Sequence, residues 1–172
     1  MKQGTNNMTT FDFGNGPVPA HQHSNGGGWV ADTADVDETA YVGPNARVFD
    51  NARVYDNAFV YGDAKVYGNA WVYGDAIVSG DAKVCGYARV FNNAKVSDNT
   101  WVFGNARVFG NANVSGDANV FSEAQVYGNA IVFGNALVFQ NARVSGNAEV
   151  YCEARIYDNR MVSGYDHVVG IA

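Results

Sequence analysis

The sequence of 172 residues is short of several things, and each shortage removes a class of protein. Two cysteines, Cys85 and Cys152, are too few for a disulfide framework. The only histidines are His21, His23 and His167, so the long middle of the chain cannot supply a three-histidine zinc site. No apolar run is long enough to cross a bilayer as a helix. The opening MKQGTNNMTTFDFGNG has one lysine and no apolar core, which does not read as a secretory signal. The residues before Met8 resemble an extension, with Met8 as an alternative start. Lys and Arg number 11 against 17 Asp and Glu, a formal charge of −6. That balance gives no general attraction to duplex nucleic acid or to anionic membrane. The expectation is a soluble, cytoplasmic, single-domain protein.

What is abundant is a phrase of six residues. Val occupies position 30 and every sixth position to 150, followed by Ile156, Val162 and Val168, which makes 24 hexads without an insertion. Ala stands two residues before each, and only Gly28, Thr100, Arg160 and Asp166 break that column. A period of six fits neither a helix nor a hairpin meander, and such self-similarity marks a repeat architecture. In an extended segment Ala and Val point the same way, and their neighbours point the other way. The Gly-Asn, Gly-Asp or Asp-Asn pair that follows suits a corner needing positive φ. Each hexad is therefore a short strand plus a corner, and three hexads close a triangle of 18 residues. Eight such coils stacked about 4.8 Å apart give a rod roughly 38 Å long.

These hexads, from Trp29 to about Val168, resemble the hexapeptide-repeat family with its [LIV]-x-[GD]-[ND]-A-x signature. The resemblance implies an all-β fold, a left-handed parallel β-helix shaped as a triangular prism. It also implies a homo-oligomer, a trimer in most such proteins. FGNGPVPAHQHSNGGGWVADTA, Phe11 to Ala34, resembles the lead-in of uncharacterised phage and prophage hexapeptide-repeat proteins, which would place the chain in a host cytoplasm. Residues 1–28 are expected to form an N-terminal arm or cap, 29–159 the β-helix, and 160–172 a C-terminal cap.

Residues 18 apart share a face, so three outward ladders follow. The position after Val is aromatic in 14 of the 19 hexads from Val48 to Ile156. Nine of the 11 Lys and Arg residues precede a Val or Ile of the apolar column, whereas ten of the 17 acids sit at corners between Asp50 and Asp158. The second face joins both features, with Arg53, Tyr55, Trp71, Tyr73, Arg89, Phe91, Arg107, Phe109, Tyr127 and Arg143. Guanidinium groups beside aromatic rings can hold phosphate and stack a base. The alternative is a solvated ladder whose Arg stems cover the rings and pair with corner carboxylates. On the first face Phe49, Tyr67, Trp101, Phe103, Phe121, Leu137 and Phe139 form an apolar strip suited to self-association. The column Asp63, Asp81, Asn99, Asp117, Asn135, Glu153 has oxygen ligands at strand spacing, but lacks the nonapeptide calcium signature. Two further corner columns are mostly Asn and are expected to stack as amide ladders. His21-x-His23, in a flexible arm, could take a metal adventitiously. Cys85 and Cys152 would lie roughly 18 Å apart, too far for a disulfide.

Many hexapeptide-repeat proteins are acyltransferases or γ-class carbonic anhydrases. The transferases use a catalytic His beside a loop that interrupts the coils, and this chain has neither. No nucleophile–base constellation or phosphate loop is evident. The expectation is a non-enzymatic binding protein with no cofactor. Its partner would be a host defence factor, a nucleotide signal, or further copies of itself. An acyltransferase-like enzyme with an inter-subunit site and a structural rod are the alternatives.

Overall fold

The computed structural model describes residues 9–170, so Met8 and the residues before it, with 171–172, lie outside the described part. Alternating in/out patterning with a corner every six residues produces 24 short strands from Trp29–Ala31 to His167–Val169, every third one in the same sheet. All pairings among them are parallel and offset by 18 residues, for example Val72 against Val90 and Val108 against Val126. The three sheets form the walls of a prism. The first runs from Trp29–Ala31 to Arg155–Ile156, the second from Asp35–Val36 to Met161–Val162, and the third from Tyr41–Val42 to His167–Val169. Residues on either side of each Val donate to the next coil, as Arg107 N–H to the Ala124 carbonyl and Phe109 N–H to the Val126 carbonyl, both 2.9 Å.

The core is one continuous column of Ala and Val, almost all of it without solvent exposure. Ala fits beside the corner, where the walls converge, and Val fills the flat part of each wall. The breaks in the Ala column have separate causes. Gly28 lies where the entering chain donates its N–H to the Val42 carbonyl at 2.9 Å, and a Cβ there would meet the Val42 side chain at 2.6 Å. Arg160 and Asp166 belong to the last coil and are exposed, because no further described coil lies over them. Thr100 is fully buried, and its hydroxyl has no hydrogen-bond partner.

The first residue of each corner pair carries the turn. Gly80 has φ +67°, and a Cβ on it would lie 2.8 Å from the Asp98 nitrogen of the next coil. Asp98 nevertheless adopts φ 60° itself, and its carboxylate accepts the Gly116 N–H one coil on at 3.0 Å. Asp50 and Asp56 do the same for Gly68 and Gly74. At these corners the side chain supplies an acceptor for an N–H outside the strand ladder, which offsets the cost of a left-handed residue.

Residues 9–28 form a cap on the prism. β1 (Thr10–Asp12) and β2 (Pro17–Gln22) form an antiparallel hairpin, and β2 pairs antiparallel with β3 (Trp29–Ala31). This covers the edge of the first sheet. Asn25 and Gly28 cover the third by bonding to both backbone groups of Val42. Phe11 stacks on Trp29 at 4.6 Å and Phe13 on Phe49 at 4.9 Å, so the hairpin continues the aromatic ladder of the first wall. Of the two forms expected for this segment, arm or cap, residues 9–28 take the cap, and strands of the repeat run on to His167–Val169.

Thr100→Val removes the buried hydroxyl while keeping its shape, and should stabilise the fold by about 1–2 kcal/mol, read as a higher denaturant midpoint. Asp98→Gly should cost under about 1.5 kcal/mol, since it relieves the backbone while losing one bond, and Asp98→Ala should cost more.

Candidate functional site

The second wall carries the cationic column. Asp35, Arg53, Trp71, Arg89, Arg107, Gln125, Arg143 and Met161 lie in register, one per coil. Trp71 is held between two guanidinium groups, Arg53 at 4.7 Å and Arg89 at 5.2 Å from its ring. Arg89 and Arg107 are direct neighbours in the ladder, both exposed. Like charges at that spacing repel unless something neutralises them. Among the described residues no Lys or Arg makes an ion pair with a carboxylate; the two pairs present are His21–Asp32 and His167–Glu149. Pairing of the arginines with corner carboxylates, one of the expected arrangements, is thus absent.

The acids have other engagements. Corner aspartates accept backbone N–H groups, Asp117 accepts the Asn99 amide at 2.9 Å, and Glu123 accepts the Asn105 amide at 2.7 Å. Asp35 accepts the Tyr55 hydroxyl at 2.5 Å, and that bond holds the Tyr55 pKa above its ordinary value. Between Arg89 and Ser145 the strands of the second wall contain no acid, and the corners beside them contain only Glu123. The column Asp63, Asp81, Asn99, Asp117, Asn135, Glu153, with Asp98 beside it, runs along the prism edge between the third and first walls, opposite the second.

The aromatic ladder beside the arginines differs from a stacking platform. Tyr73, Phe91, Phe109 and Tyr127 stack on one another at 4.9 Å with interplanar angles of 1–3°. Each inner ring therefore has both faces covered by its neighbours and turns an edge outward. Ring edges carry the positive part of the quadrupole, so they reinforce the arginine column. One corner column bordering this wall forms an unbroken amide chain, Asn93 to Asn111 to Asn129 to Asn147, at 3.0–3.1 Å. The other expected Asn ladder, with Asn51, Asn69, Asn105 and Asn141, is interrupted by Tyr87 and Glu123, and Asn105 bonds to Glu123 instead.

On the first wall the aromatics also stack, Phe49 on Tyr67 and Phe103, Phe121 and Phe139 in series at 4.8–5.0 Å. Of the strip Phe49, Tyr67, Trp101, Phe103, Phe121, Leu137 and Phe139, only Trp101 is largely exposed, at 39%. Cys85 interrupts the ladder between Tyr67 and Phe103. Burial, with the neighbouring thiol adding to it, pushes the Tyr67 pKa up to about 12, and burial likewise raises that of Cys85.

Two features escaped sequence reasoning. Arg47, Lys65 and Lys83 face Asp63, Asp81 and Asn99 across an open polar trough of about 530 Å³ closed by Trp101. Both columns were visible in the sequence, but their adjacency across a corner becomes apparent only once the coil is built. A mainly apolar groove of about 290 Å³ lies under the hairpin, between Phe13, Val18, Pro19, Ala31 and Phe49, where no period helps the reading. His21 pairs with Asp32, and His23 is buried, within 3.2–3.3 Å of the Asn25 backbone, so they do not act together. Among the described residues no three His, Cys, Asp or Glu side chains gather as a metal site.

Stacked parallel coils at an 18-residue offset make this chain a parallel β-solenoid repeat protein of about eight turns. Three stretches, residues 46–62, 58–74 and 124–140, match the family model described as the YdcK beta solenoid repeat. None of these matches reaches the segment from Phe11 to Ala34. No curated protein matches the chain.

Raised pKa values for Tyr67 and Cys85 have a defined pH signature. Tyr67 is neutral in both states below pH 10; between 10 and about 12 the unfolded chain loses this proton while the folded chain keeps it. Its contribution to stability is thus complete below pH 10 and is lost as pH rises through about 12, which denaturant titrations of wild type and Tyr67→Phe would show. Cys152 is exposed and should react with a thiol reagent faster than Cys85, followed by mass spectrometry of the two peptides.

Proposed function

We propose that this protein is a non-catalytic binding module that presents the second wall to an anionic partner. The observation that carries the reading is the column Arg89, Arg107 and Arg143, exposed and without carboxylate partners, on a stretch of the second wall whose strands hold no acid. A rigid solenoid suits such a task, because the ladder bonds fix the spacing of the charges before any ligand arrives, and little ordering cost remains. Neutralising a host defence factor of acidic surface, in a phage setting, is one role that would use such a wall.

Self-association is a second role, favoured by the exposure of Trp101 beside the stacked rings of the first wall. It leaves the second wall free, because the two lie on different sides of the prism.

Retention on a heparin matrix tests the main reading. Despite a pI near 4.8, the wild type should be retained at low salt, and an Arg89→Glu/Arg107→Glu variant should flow through. Equal behaviour of the two proteins would contradict it. Sedimentation of the wild type and Trp101→Glu tests self-association, with a smaller species expected for the variant.

A further inference from the structure

We infer that the anionic partner is a linear phosphate chain, lying along the solenoid axis across the coils of Arg89, Arg107, Gln125 and Arg143 and recognised by its charge, not by its bases. This rests on the reading of the second wall as an anion-facing surface and narrows it to one ligand chemistry.

Three observations specify the chain. The first is one-dimensionality. Arg89, Arg107 and Arg143 lie in a single file with Gln125 between them, each one strand from the next, so the positive charge forms a line along the axis. A compact anion would meet one or two of these groups, while an extended chain with a charge on every unit meets them all. Guanidinium groups bind phosphate oxygens through paired N–H donors, which gives the file its chemical preference.

The second is the state of the rings. Tyr73, Phe91, Phe109 and Tyr127 are stacked at 4.9 Å and nearly parallel, so no base can slide between them or lie on an inner face. Trp71 likewise has Arg53 and Arg89 over its ring. Recognition by base stacking, which single-strand binding surfaces ordinarily use, finds no open face on the inner rings of the file. What remains outward are ring edges, whose partial positive charge favours an anion above them.

The third is the flank. The amide run of Asn93, Asn111, Asn129 and Asn147 borders the file, and Asn93, Asn111 and Asn129 each use only one of their two N–H groups on the next. Beyond Arg107, an open polar recess lined by Asn141, Arg143, Asn159 and Met161 extends the file toward the C-terminal end. Glu123, which accepts the Asn105 amide, is the one acid at the corners beside the file, and Asp63, Asp81, Asp98, Asp117 and Glu153 stand on the far edge of the prism. Salt at physiological strength screens charges beyond about 8 Å, so the far-edge acids oppose a chain on this wall weakly.

Phosphate chains come from two sources, nucleic acid and inorganic polyphosphate, and fluorescence anisotropy with defined probes separates them. The probes are long-chain inorganic polyphosphate as competitor, a labelled deoxyadenosine oligomer, an abasic oligomer of equal length, and a labelled mononucleotide. The proposal expects the abasic and adenosine oligomers to bind within about threefold of each other and the mononucleotide not to bind. Affinity should fall with salt at a slope of roughly −2 for three phosphate contacts, and Arg107→Gln should reduce that slope by about 0.7. Lys95→Gln, on the third wall, should leave it unchanged. Displacement of both oligomers by polyphosphate assigns the shared chemistry; failure of polyphosphate alone assigns the sugar–phosphate chain. Binding of the adenosine oligomer with loss on abasic substitution would overturn the inference in favour of base recognition. Retention on heparin with no binding of any phosphate chain would overturn it while leaving the anion-facing wall intact. Loss of both would remove the reading on which it rests.

Discussion

Everything in this molecule depends on each residue lying one coil below its mate 18 positions on. The ladder bonds between coils, 2.9–3.0 Å along most of the chain, need this offset to hold without a slip. One inserted residue would turn every following Val outward. The constraint explains the uniform hexads better than any function does. Ala and Val recur because a prism of constant section has one shape of cavity in every coil. Gly recurs at the first corner position because from Asp50 onward each corner has positive φ at the same point. The residues that replace it there include Asp50, Asp56 and Asp98, which bond to the next coil.

The same offset converts sequence composition into surface pattern. Identical positions form lines parallel to the axis, so a residue preference becomes a ladder, and ladders of different character are kept on different walls. Aromatic side chains at coil spacing stack on one another and close their own faces. Charged side chains at coil spacing cannot close on themselves, and here their opposite-sign counterparts are placed on another edge or are bonded to backbone. Apolar ladders are thereby largely satisfied within the chain, while the arginine file is not. This difference directs attention to charge on the second wall.

Much of this was legible in advance. The period, the Ala and Val core, the three walls and the membership of each column follow from spacing alone, and each column is where counting by 18 places it. The hairpin from Thr10 to Gln22 was not legible, because it has no repeat and its strands run antiparallel to the rest. Whether the rings from Tyr73 to Tyr127 stack on one another or offer their faces was left open by the sequence for a different reason. A column in the sequence says that rings are neighbours, but their mutual packing decides whether faces or edges point outward. Which acids pair with which bases was also hidden, since Asp50, Asp56 and Asp98 turned out to bond to backbone N–H groups of the next coil. The hand of the coil rests on family resemblance.

The central claim is that recognition belongs to a column and not to any one hexad, and a pair of insertions after Ser97 tests it directly. A copy of residues 110–115 adds one hexad and carries Arg107 and Arg143 onto a different wall from Arg89. A copy of residues 110–127 adds a whole arginine-free coil and returns them to the same wall. Both should fold, since every added hexad has the Ala and Val core and a corner. Measured by anisotropy with the abasic oligomer, affinity should collapse with the six-residue insertion and persist, somewhat weakened, with the 18-residue one. Equal affinity in the two folded variants would contradict the account.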